Sequence, residues 1–391
     1  MTKSFVGSSY GMKLVRALRL VLGRGEFALH EPTFGDEERR YVLDCIDSSY
    51  VSSVGRYVEL FETQLAEYVG VRRAIAVVNG TSALHVALKV IGVGSGDEVL
   101  VPSLTFVATA NAVSYCGATP HFVDSSFKTL GMDPESLADW LSFVAVKSRH
   151  GSLNIQTGKR IKALVPMHTF GHPCDIEDLA RIAYDYKLRV VEDAAESLGS
   201  FKDGRHTGSF GHLSTISFNG NKVITAGGGG AVVTNDLKLA DRVKHLTTTA
   251  KIPGGFGYSH DAIGYNYRMP NLNAALACAQ LERLPALLES KRRLAKSYAA
   301  TLEDIEFLSF VREPRNCKSN YWLQTVILSD EATSYSDEIL FTLNKNGLGS
   351  RPAWDLLNQM DFYKDCPCAP LNSSLELARK IINIPSSAGL A

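Results

Sequence analysis

Short apolar runs that end in small polar turns and lead into helical patterns recur along this chain, and they constrain its fold more than any other feature. Ala74-Ile75-Ala76-Val77-Val78 is short and rich in β-branched residues, which predicts a buried strand. Asn79-Gly80-Thr81-Ser82 follows as a turn, and residues 83–88 then read as a helix. Further strands are predicted over 98–101, 119–123, 161–166, 189–192 and 213–218, with helices over 37–48, 57–69, 103–115 and 176–186. Strands alternating with helices predict an α/β fold with a mostly parallel central sheet flanked by helices. Ligands of such sheets bind at the carboxyl ends of the strands. Asn79-Gly80-Thr81, His168, Asp193 and Ser217 all fall at such ends.

From residue 281 to 302 the pattern becomes a long charged helix, which reads as the connector to a smaller α+β C-terminal domain. That domain has strands near 322–328, a helix near 337–346 and a closing helix before the Ile381-Ile382-Asn383-Ile384-Pro385 run. The expected division is an N-terminal amphipathic extension over 1–33, a large domain over 34–285 and a small one over 286–391. In residues 12–22, Lys13, Arg16 and Arg19 alternate with Leu14, Val15, Leu18 and Val21. Such a helix lies on a membrane surface or docks on the protein body or a second subunit. Three cations anchor weakly, which favours docking.

Lysine plus arginine equals aspartate plus glutamate, 41 each, so nothing global points to nucleic acid. No apolar run approaches the roughly 20 residues that span a bilayer, and no cleavable leader is evident. The seven cysteines form no disulfide framework, which predicts a reducing, cytoplasmic setting. Cys366-Pro367-Cys368 is the one close pair and reads as a loop, so no metal site is expected.

Lys222 ends the run Ser217-Phe218-Asn219-Gly220-Asn221-Lys222 and leads into Gly227-Gly228-Gly229-Gly230. By itself it is a solvated lysine after a strand. Asp193, which follows Val190-Val191-Glu192 at another strand end, changes that balance, although it could instead cap a helix begun by Ala194-Ala195-Glu196. An amine and a carboxylate so placed supply what pyridoxal phosphate (PLP) needs: a Schiff-base partner and a partner for the pyridine nitrogen. Asn79-Gly80-Thr81-Ser82 suits either a phosphate cradle at a helix N-terminus or an ordinary cap, and Ser217 offers a second hydroxyl. Phe106 could stack on a flat ring, with a core position as its default. His168 could face substrate. His172, four residues on, is no metal partner for it, because Gly171 and Pro173 break the helical spacing. Gly92-Val93-Gly94-Ser95-Gly96 lies after a helix and before a strand, the reverse of a dinucleotide loop, and reads as a turn.

Together these motifs resemble the PLP-dependent sugar aminotransferases grouped with the DegT, DnrJ, EryC and StrS proteins, over about residues 34–388. The match rests on Asn79-Gly80-Thr81, Thr105-Phe106, Glu192-Asp193-Ala194-Ala195, Ser217-Phe218, Lys222 with the glycine run, and Gly264-Tyr265-Asn266-Tyr267-Arg268. The resemblance implies the aspartate aminotransferase type fold (fold type I) and a cytoplasmic homodimer with shared sites. In its terms Lys222 is the catalytic lysine and Asp193 pairs with the pyridine nitrogen. Glu196 approaches the ring hydroxyl, where many relatives carry glutamine. Gly80, Thr81 and Ser217 hold the phosphate with Ser82 nearby, Phe106 stacks on the ring, and Asn266 reaches the phosphate from a neighbouring subunit. His168, Asn219, Arg268 and Arg351 are the candidate substrate-binding residues.

Many relatives have histidine near Asn219 and glutamate at Gly228. The 218–222 run, with 168–172 and 247–251, looks like a branch that aminates C4 of UDP-linked 4-keto-6-deoxy-N-acetylglucosamine, on routes to legionaminic acid or bacillosamine. The expected reaction is therefore amino transfer from glutamate to that sugar. The alternatives are a GDP- or dTDP-linked keto-sugar, or a non-catalytic regulatory protein on the same scaffold. Family members that are dehydratases have histidine in place of the lysine, and Lys222 argues against that activity.

Overall fold

The computed structural model describes residues 3–149, 151–254 and 257–391. Its centre is a nine-stranded sheet. Along the main path the strands run in the order Arg73–Val77, Gly230–Thr234, Leu213–Ser217, Arg189–Asp193, Arg160–Leu164, Asp97–Pro102, Thr119–Val123. From Leu213–Ser217 onward neighbours pair in parallel. Gly230–Thr234 runs antiparallel to both of its neighbours, so Arg73–Val77 points the same way as the parallel set. The hairpin of Ala145–Ser148 and Gly151–Asn154 pairs antiparallel with the first residues of Arg160–Leu164.

Residues of one strand serve two cores, because successive side chains leave a strand on opposite faces. Ile75 and Val77 pack with helices Gly80–Val90, Ala108–Tyr115 and Leu237–Thr247. Ala74 and Ala76 pack on the other side with helices Arg56–Val69 and Asn271–Thr301. Helices Pro134–Val144 and Ile176–Asp185 cover Leu100, Val123, Leu164 and Val190 farther along that side.

The C-terminal part is a four-stranded antiparallel sheet in the order Leu308–Phe310, Gln324–Leu328, Ile381–Ile384, Arg351–Pro352. Its core includes the N-terminal helix Lys3–Leu22, whose Leu14 and Leu18 are fully buried among Ile339, Leu343 and Leu348. Lys13 and Arg16 remain exposed, and Arg19 binds the carbonyls of Gly23, Gly25 and Asn346. Among the described residues no helix is long and apolar enough to cross a membrane.

Two expected boundaries move. The helix expected over 103–115 begins only at Ala108, because Ser103 pairs with Val123 and Asn358 and holds the chain extended. The charged helix expected from 281 begins at Asn271 and runs to Thr301. Its first half is Ala-rich and buried nearly all round, so the charge pattern reports only the exposed half. The boundary expected at 285/286 therefore falls inside one continuous helix, which carries Pro285.

Candidate active site

A cavity of about 330 Å³ opens at the carboxyl ends of the central strands. Gly80, Thr81, Phe106, Asp193, Glu196, Ser217, Asn219 and Lys222 all line it. So do Met167, Ala195, Asn221, Trp322 and Trp354.

One wall is the N-terminus of helix Gly80–Val90. Asn79 caps it, with its Oδ1 accepting the Ser82 N–H at 2.7 Å and its carbonyl accepting that of Ala83. The amides of Gly80 and Thr81 are left to meet an anion, helped by the helix dipole. A Cβ on Gly80 would stand 3.0 Å from Ser217 Cβ and 3.2 Å from its Oγ, so the missing side chain leaves a small concave seat between the two. Gly230 makes this approach possible, since a Cβ there would lie 2.4 Å from the Asn79 carbonyl carbon. Ser82, expected beside the anion, instead gives its N–H to the cap and stands outside the wall.

The opposite wall holds the charges. Asp193 is the last residue of its strand, with its Oδ2 accepting the Thr109 hydroxyl at 2.7 Å and its Oδ1 the Ala195 N–H at 3.2 Å. The chain after it makes turns and no helix, so it caps none. Burial raises its carboxyl above the usual range, opposed by Thr109, the Ala195 amide and the Lys222 charge. Glu196 accepts the Phe170 N–H at 2.9 Å through one oxygen and the Lys222 amine at 3.4 Å through the other. Burial pushes its carboxyl up to about 7, and Lys222 opposes that rise. The Lys222 amine lies 3.8 Å from the centre of the Trp322 ring. Phe106 stands at the rim, half exposed.

His168 does not reach the cavity. It is fully buried, its Nε2 lies 3.1 Å from Glu192, and its Nδ1 accepts the Cys174 N–H at 3.2 Å. Glu192 also accepts the amides of Gly208, Phe210 and Gly211 and the Ser214 hydroxyl. With both ring nitrogens engaged, the substrate role expected for His168 is withdrawn. The strand alternation explains the difference: Asp193 faces the cavity and Glu192, its neighbour, faces away.

Asn266, Arg268 and Arg351 are exposed and lie outside this wall, with Arg268 Nε donating to Asn266 Oδ1 at 3.0 Å. Among the described residues no group of three or more His, Cys, Asp or Glu is placed to hold a metal. Thr109, Trp322 and Trp354 escaped the reading of the sequence. Trp322 is brought to Lys222 from a distant segment, and no local pattern announces it. Thr109 carried a weak signal, being one helical turn beyond Thr105.

The residues fit PLP on their own geometry. There is a seat for a phosphate, a buried carboxylate across from it, an aromatic rim and an amine between them. The DegT/DnrJ/EryC1/StrS aminotransferase family model matches residues 32–391. The chain is 37% identical to a GDP-perosamine synthase of Vibrio cholerae, covering 93% of this chain and 94% of the relative. It is 37% identical to a GDP-perosamine synthase of Caulobacter vibrioides, covering 92% of each. Among solved structures, Helicobacter pylori PseC, an aminotransferase involved in the biosynthesis of pseudoaminic acid, superposes with a TM-score of 0.85 at 26% identity, over 94% of this chain and 95% of that one.

Proposed function

The chain belongs to the DegT/DnrJ/EryC1/StrS aminotransferase family, and from that premise we propose that it moves an amino group from glutamate to the ketone of a GDP-linked keto-sugar. It is a PLP-dependent aminotransferase of nucleotide sugars. The observation that carries the GDP assignment is the pair of relatives named GDP-perosamine synthase, each matched over nine-tenths of its length. They favour a GDP-linked sugar over the UDP-linked one suggested by the 218–222 run.

PLP, when bound, supplies a carbonyl that condenses with amines and a ring that withdraws electrons from the reacting carbon. The chain does the rest. Gly80 and Thr81 amides and the Ser217 hydroxyl hold the phosphate, and Phe106 flanks the ring. Asp193, buried and fixed by Thr109, keeps a proton at the ring nitrogen. Lys222, the one lysine in the cavity wall among the described residues, takes up and returns the proton at the reacting carbon. Glu196 receives the Lys222 amine at the cavity floor. Asn219 and Asn221, exposed at the mouth, meet the sugar.

A second copy of the chain completes the site in this reading. Ile46, Tyr50 and Val54 are 54%, 60% and 68% exposed on one short stretch of chain, which suits a homodimer face. Asn266, exposed and away from its own cavity, is then supplied to the partner.

The test is incubation of the PLP-loaded protein with glutamate and, separately, GDP-, dTDP- and UDP-linked 4-keto-6-deoxy sugars, read by mass spectrometry. The GDP-linked amino sugar is expected as the main product. Amination of the UDP-linked sugar alone would overturn the assignment.

A further inference from the structure

Lys291 lies on helix Asn271–Thr301, fully buried, and forms no ion pair with a carboxylate among the described residues. Burying an amine without a countercharge is costly, so its position calls for a reason. Its Nζ donates to two backbone carbonyls, Trp322 O at 3.1 Å and Ser386 O at 2.5 Å. Burial pushes this amine down to about 7, so near neutral pH it sheds about half of its charge and still donates N–H bonds in either form.

Trp322 is held on every side. Its N–H donates to Asn320 Oδ1 at 2.8 Å, and its indole N–H donates to Asn221 O at 2.6 Å. Asn221 is the residue before Lys222, so one hydrogen bond ties the ring to the turn that carries the amine. Trp322 as a whole is 5% exposed, and its ring presents a face to the Lys222 amine at 3.8 Å. An aromatic face attracts an ammonium and offers a neutral amine little, and the attraction grows when water is excluded.

We propose that the Trp322 indole is a resting face for the Lys222 amine whenever that amine is not bonded to the cofactor, and that Lys291 is a positioning residue that holds the indole in place. The face, together with Glu196 at 3.4 Å from the nitrogen, holds the released amine out of the way of an incoming amino group. The proposal rests on Lys222 being the reacting lysine, and its test uses the cofactor-free protein.

The rate at which a small neutral acylating reagent modifies Lys222 is followed by peptide mass spectrometry from pH 7 to the alkaline plateau. The plateau rate reports access alone, so the neutral-pH rate divided by the plateau rate reports how firmly the charged form is held. Trp322→Leu is expected to raise that ratio about three- to tenfold, the range of a partly desolvated cation–π contact. Trp322→Phe should fall between. Lys291→Met should raise the ratio in the same direction, yet add nothing in the Trp322→Leu background, because it acts through the ring. Lys291→Gln, which keeps an N–H donor, replaces Lys291→Met if that variant does not fold, with a smaller rise expected. An unchanged ratio in Trp322→Leu would overturn the resting face. A Lys291 effect that persists undiminished in Trp322→Leu would overturn the positioning role. Absence of a visible absorption band on adding PLP to the wild-type protein would instead sink the cofactor reading, and the labelling ratios would stand.

Discussion

Lys222 and Glu196 share one small polar floor, and each makes a separate prediction. Lys222→Ala removes the group that carries the proton at the reacting carbon. Turnover with glutamate and keto-sugar should fall by about 10³-fold or more, while the protein still binds PLP, seen by its retention on a desalting column. Normal turnover by this variant would end the assignment. Glu196 is protonated more readily in the folded protein than in the unfolded chain, from 4.5 up to about 7. The folded state therefore binds the extra proton between those values. Stability from this group is greatest below about 4.5 and is lost as pH rises to about 7, by at most about 3 kcal/mol. Glu196→Gln lacks the penalty. In denaturant titrations of the cofactor-free protein, the variant should gain on wild type as pH rises from 5 to 8. A difference that stays constant over that range would contradict the assignment.

At the scale of elements, the site depends on one helix end and one strand meeting at close range. Gly80→Ala puts a methyl group 3.0 Å from Ser217 Cβ, in the space left for an anion. Affinity for PLP, measured by fluorescence quenching, should drop about tenfold or more. The melting temperature of the cofactor-free protein should fall only modestly, since no left-handed φ is required there and Ser217 has to give by only a few tenths of an ångström. This seat was legible in Asn79-Gly80-Thr81, since a cap and a phosphate cradle use the same residues. Its division of labour was not, because Asn79 takes the Ser82 amide and leaves only those of Gly80 and Thr81. Helix Asn271–Thr301 shows the same limit: its buried half carries no charge period, so only the exposed half could be read.

At the scale of the whole molecule, the exposed apolar stretch around Ile46, Tyr50 and Val54 carries the dimer proposal. Val54→Asp, alone or with Ile46→Asp, should shift light scattering from dimer to monomer and take activity with it, because Asn266 then reaches no partner cavity. A fully active monomer would show that each chain completes its own site. The N-terminal helix belongs to this scale as well. Its Lys13, Arg16 and Arg19 anchor too weakly for a membrane and favour docking, and Leu14 and Leu18 are buried in the C-terminal core.

Local sequence was enough for whatever rests on local chemistry. The strand–turn–helix rhythm, Lys222 on its turn, Asp193 at a strand end and the cap at Asn79 all follow from residues within a few positions of one another. Only the tertiary structure could turn His168 away from the cavity and set it on Glu192, or bring Trp322 over the lysine and Lys291 behind the tryptophan. Those relations join segments about 25 to 100 residues apart, and side-chain packing, with no periodicity to announce it, selects them.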